Sequence, residues 1–116
     1  MPGALHALLE ELNSADRVAR THAAACLGDA LASAARAGRD VGPIARALLG
    51  ALMAENDAEV QEELAHSLGY LAEYGRILPE LVQPLTKRLP CLAAGAAEHV
   101  TGLLEEALWP APGSTS

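Results

Sequence analysis

His22 and Cys26 stand four residues apart, which puts both side chains on one face of a helix, and Asp29 follows one turn further on. All three residue types can ligate a metal. A zinc site wants three or four ligands with hydrogen-bonding partners behind them, and no further Cys or His lies close by, so no metal or cofactor is expected there. Glu62 and Glu63 precede His66 by four and three residues, the spacing of a charge pair on a helix surface. As a general acid–base couple they lack a nucleophile and a pocket, so no catalytic residue is assigned and the chain reads as a non-enzyme. Five acids fall within nine residues, Glu55, Asp57, Glu59, Glu62 and Glu63, with no base among them. Compensation of a helix dipole needs two or three of these. Like charges one turn apart cost a few tenths of a kcal/mol, so the surplus points to a ridge that docks a basic partner surface and steers its approach.

The elements that must carry these side chains are helical. Apolar residues make up 51% of the 116, yet there is no Phe, one Trp and two Tyr. A core of Leu, Ala, Val and Ile suits close helix contact, and β-branched and aromatic residues are too sparse for a sheet. The length allows one domain, residues 1–109, and a loose, disordered tail is expected over 110–116, which has nothing to bury. A formal net charge of −7 argues against a nucleic-acid partner held through its phosphates. The apolar runs fall well short of the roughly 20 residues that span a bilayer, and no basic flank with an apolar stretch opens the chain, so a cytoplasmic protein is expected. Cys26 and Cys91 are too far apart in sequence for a paired metal site, and both read as reduced, buried small hydrophobes.

A repeat organises the helices. At an offset of 41, Asp16 falls on Asp57, Ala24 on Ala65, Leu27 on Leu68, Gly28 on Gly69, Pro43 on Pro84 and Leu48 on Leu89. Apolar coincidences are cheap in so apolar a chain; those of Asp, Gly and Pro at one offset are not. A further copy starts at Val100, where Val100, Leu104 and Leu108 repeat Val60, Leu64 and Leu68. Asp16 and Asp57 suit helix starts, Gly38 and Gly75 helix ends, and Pro43 the opening of the next helix. Helices are predicted at 3–13, 15–37, 43–55, 57–74, 78–89 and 91–109, with consecutive helices antiparallel. Pro79, Pro84 and Pro90 predict a kink or break between Leu78 and Leu92.

The runs Ala19 to Gly28 and Val60 to Gly69 resemble the first helix of HEAT repeats: Asp, then Val-Arg, then paired Ala, then Leu-Gly. Arg20 keeps the family's arginine, and Gln61 replaces it in the second copy. The resemblance spans residues 4–109 and implies an all-α, short α-α superhelical stack of about three helix pairs, with first helices outside and second helices lining a concave side. It also implies protein binding. On that inner side Glu10, Arg46, Glu80, Lys87 and Arg88 are candidate contacts, and Trp109 is a candidate anchor or the closing residue of the last unit. Self-association through the stack ends, carrying Leu5, Leu8, Leu9 and Leu12 or Leu103, Leu104 and Leu108, is the second interaction to expect. The expected function is a protein–protein interaction module, in one form an acidic inhibitor or immunity protein that masks a basic toxin or enzyme. The alternative is a HEAT-like accessory or scaffold subunit of an enzyme, of the kind that attaches bilin chromophores. A DNA-binding relative ranks last, on charge and the missing aromatics.

Overall fold

The computed structural model describes residues 2–108 of the chain, with side chains from Leu5 onward; the tail and Trp109 lie outside the described residues. Among the described residues seven α-helices follow one another: α1 Pro2–Glu11, α2 Arg17–Arg36, α3 Gly42–Ala54, α4 Ala58–Leu68, α5 Tyr70–Glu73, α6 Val82–Arg88 and α7 Ala94–Leu108. No strand occurs among the described residues. The protein is all-α.

Local chemistry sets the ends. The Asp16 carboxylate accepts from the Val18 N–H, and Asp57 accepts from Glu59 and Val60 at 2.9 and 3.1 Å, filling amides that the first turn leaves free. Gly38 and Gly75 take positive φ, 72° and 66°, and let Arg39 and Arg76 donate back to Ala34 and Leu71. These are helix stops that a Cβ would strain. Gly69 stays helical and interrupts the run between α4 and α5 for a single residue, so the two together match the helix expected over 57–74. In the proline-rich stretch, Pro79 and Pro90 each lie in a 3-10 turn, of Pro79–Leu81 and Leu89–Cys91. The expected break therefore falls at both ends of α6. Pro84 is in the first turn of α6, where a proline is tolerated.

Side-chain contacts fix the helix directions. Arg17, at the start of α2, meets Asp57 and Glu59 at the start of α4, while Arg76, just past α5, donates to Ala35 and Arg39 at the end of α2. So α2 and α4–α5 run parallel. By the same reasoning α4 and α7 are parallel, because Gln61 binds Ala93 and His66 stacks on His99. Arg20 near the start of α2 reaches Glu55 at the end of α3, which makes those two antiparallel. One layer is α2, α4–α5 and α7, with α4 central and packed on both neighbours; α1, α3 and α6 form the other. The slab measures 42 × 34 × 18 Å.

The predicted stripe is the core. Val60, Leu64, Leu68 and Leu71 are at most 1% exposed, and Leu27, Leu31, Leu48, Leu52, Leu81 and Leu85 join them. Each such leucine contributes about 1.5–3 kcal/mol by leaving water. Where α2 crosses α4, the buried Ser67 hydroxyl donates to the Ala24 carbonyl at 2.9 Å directly beside Gly28. Glycine is required here, since a Cβ at position 28 would lie 2.8 Å from that of Ser67.

Three expectations are corrected. Residues abreast across α2 and α4 are 42 or 43 apart, but Gln61 and Ala93 are only 32 apart, so the third unit is shorter than the 40-residue period. The cause is α6, which has 7 residues where α3 has 13. Leu108 is 53% exposed, whereas Val100 and Leu104 are buried, so the third stripe stops one turn early. Cys26 is half-buried and Cys91 exposed, neither of them a core residue.

Candidate docking surfaces

The acidic ridge starts at the N-terminus of α4. Asp57 caps the helix, and its carboxyl is held below the usual aspartate range, chiefly by the Val60 N–H; partial desolvation opposes this, and Arg17 and the Glu59 N–H reinforce it. Arg17 lies 3.0 Å from Glu59 and 3.6 Å from Asp57, and these carboxylates, Glu59 first, hold its guanidinium above the usual arginine value. One end of the ridge thus carries a cation from the neighbouring helix, which linear spacing did not reveal.

Glu55 leaves the ridge altogether. Its side chain is 9% exposed and turns inward, where Arg20 grips it through Nε and Nη2 at 2.9 and 3.1 Å and the Asp57 N–H donates to it at 3.0 Å. Its carbonyl accepts from Gln61 Nε2 at 2.8 Å and from Arg88. Positions 20 and 61, matched by the 41-residue offset, therefore converge on one residue at the end of α3. Gln61 does what an arginine there could not: its Oε1 also accepts from the Ala93 N–H, tying in the approach to α7.

Past this junction the ridge is open. Glu59, Glu62 and Glu63 line a shallow depression of about 390 Å³ with Thr21, His66 and His99. His66 stacks edge-on against both His99 and Tyr70, with ring centroids 5.3 and 5.4 Å away, and its Nδ1 is 3.7 Å from Glu63. α7 places Gly95 against the Glu62 carboxylate, where a Cβ would come within 2.7 Å of Cδ. Sequence reasoning missed Thr21, Gly95 and His99. They come from two other helices, and no short-range spacing could have found them.

The other candidates scatter. Arg46 pairs with Glu80 at 3.4 Å, both half exposed. Glu10 is on the surface of α1, 3.7 Å from His6, and Lys87 forms no ion pair among the described residues. Arg88 donates to the Leu52 and Glu55 carbonyls and so caps the end of α3. Between α1 and α3 runs a wider groove of about 790 Å³, lined by Leu9, Asn13, Arg46, Gly50 and Ala51 among others. Among the described residues no three His, Cys, Asp or Glu side chains are grouped to hold a metal ion, and no helix is long and apolar enough to cross a membrane.

Fold and surface define an all-α slab of helix pairs with an acidic depression on one layer and a mixed groove on the other. No family profile, no curated protein and no solved structure matches the chain.

Proposed function

We propose that the protein is a HEAT-like protein-binding module whose outer layer receives a basic partner segment. The observation that carries this reading is the depression lined by Glu59, Glu62 and Glu63: three carboxylates from one helix turn toward a concavity to which no Lys or Arg contributes. Arg17 already answers Glu59 at 3.0 Å, whereas among the described residues no Lys or Arg pairs with Glu62 or Glu63, and a bound Lys or Arg side chain would supply both with charge-assisted hydrogen bonds. An acidic inhibitor that masks a basic toxin or enzyme fits this chemistry, and the net charge of −7 favours rapid capture of such a partner. The groove between α1 and α3 supports a second reading, a scaffold subunit, because Gly50 and Ala51 in its lining leave room for an extended peptide.

Titrating the ¹⁵N-labelled protein with an arginine-rich peptide separates the two. Shifts confined to Thr21, Glu59 to His66 and His99, lost in Glu62→Lys/Glu63→Lys, support the acidic face. Shifts confined to the α1–α3 groove support the scaffold. An absence of binding even at low salt removes the basic-partner reading.

A further inference from the structure

Glu11, His22 and Cys26 form a relay drawn from two helices. Glu11 ends α1 and places Oε1 2.7 Å from His22 Nδ1, and His22 Nε2 faces the Cys26 sulfur at 3.5 Å. A carboxylate can only accept, so Nδ1 carries the proton of this bond and Nε2 of the neutral ring is left with its lone pair directed at the thiol. This is the order of an activated nucleophile: a thiol, a base, and a third group that orients the base. The sequence grouped His22 and Cys26 with Asp29; Glu11 is brought to His22 by the packing of α1 on α2. Cys26 is half-buried, whereas Cys91 is exposed and has no hydrogen-bond partner among the described residues.

We propose that Cys26 is a reactive thiol that exchanges with small cationic disulfides, His22 acting as its base and Glu11 as the residue that positions His22. Acyl transfer does not fit this geometry. Cys26 lies in the middle of α2, where the surrounding backbone amides are committed to the helix and none is free to hold an oxyanion. Thiol–disulfide exchange needs no such donor. The Cys26 proton passes to His22 Nε2 and the sulfur attacks the near sulfur of the disulfide. One sulfur–sulfur bond forms as the other breaks, and the leaving thiolate takes the proton back from Nε2. Cys26 ends oxidised in a mixed disulfide, and the departing sulfur is reduced to a thiol. The cationic preference follows from two carboxylates near the thiol, Glu11, which bonds His22, and Asp29, three residues beyond Cys26 in α2.

The test compares both cysteines of the intact chain with cystamine as the probe, reading each site by mass spectrometry of quenched digests. Near neutral pH, Cys26 should react at least ~10-fold faster than Cys91 despite its lower exposure, and the advantage should shrink toward high pH, where a thiol ionises without a base. His22→Gln should bring the ratio to about one or below with helicity by circular dichroism unchanged, as expected for a side chain 64% exposed. Glu11→Ala, on the other helix, should lower the ratio in part and give an independent reading. A Cys91 that reacts first, a ratio constant across pH, or a ratio that survives both substitutions would overturn the proposal.

Discussion

Replacing Gly28 with alanine tests the packing on which the slab depends. In an open helix position the change should stabilise, because alanine loses less backbone entropy on folding, by about 0.5–1 kcal/mol. At position 28 the new methyl meets the Ser67 side chain, with its Cβ 2.8 Å away, and both sit between two packed helices. Relief requires α2 and α4 to move apart or Ser67 to turn away. Overpacking of this kind costs about 1–3 kcal/mol. If the Ser67 hydroxyl loses the Ala24 carbonyl, a buried polar group is left unsatisfied for about another 1–3 kcal/mol. Steric and polar losses exceed the propensity gain, for a net loss of about 2 kcal/mol and a fall in Tm of about 10 °C in a domain of this size. Gly50→Ala and Gly102→Ala supply the contrast, since a Cβ at either position meets nothing within 4 Å. Both should raise Tm by a few degrees. Thermal melts of the three variants decide it: were Gly28→Ala to stabilise like the other two, the close crossing of α2 and α4 would be wrong.

Glu55→Ala strands the Arg20 guanidinium at a largely buried junction and should cost about 2 kcal/mol or more in urea unfolding, with Glu55→Gln falling between it and the wild type. Leu64→Ala, in the central helix and fully buried, should cost about 2–5 kcal/mol with little change in the m-value. Asp57 carries a pH signature. Its carboxyl titrates below the usual aspartate value in the folded protein, so its contribution is complete above that value and fades as the pH falls through the folded one. Asp57→Asn keeps a capping oxygen and removes the titration. Stability measured from neutral pH down to about pH 2 should therefore fall less steeply in Asp57→Asn than in the wild type; identical acid limbs would exclude Asp57 as a contributor.

Helix positions, their caps and the inward stripe were legible because each is written within one or two turns: Asp16 and Asp57 before their helices, Gly38 and Gly75 after theirs, Val60 to Leu71 along one face. The offset of 41 also foretold that α2 and α4 would lie side by side, which Ser67 beside Gly28 bears out. What failed to show depended on length. Nothing in the residues of α6 alone said how far a shortened second helix would draw α7 forward, and that shift is what sets His99 against His66 and Gly95 against Glu62. The ridge was legible as composition and not as a surface. Nearness in sequence grouped Glu55 with Glu59, Glu62 and Glu63, but the chain turns between α3 and α4, and the turn sends Glu55 inward to Arg20 while the others stay outside.

The central helix has consequences for how the molecule comes apart. With α4 held between α2 and α7 and backed by α3, its amides can open to solvent only when the whole slab gives way, whereas α1 and α6 lie toward the edges and can detach singly. The two seams beside α4 are also unequal. Toward α2 it has the glycine crossing and its buried hydroxyl bond; toward α7 the polar contacts are Gln61 with Ala93, which is only part-buried, and the two imidazoles. Unravelling should thus proceed from the carboxyl-terminal edge inward, with α2 and α4 the last pair to part.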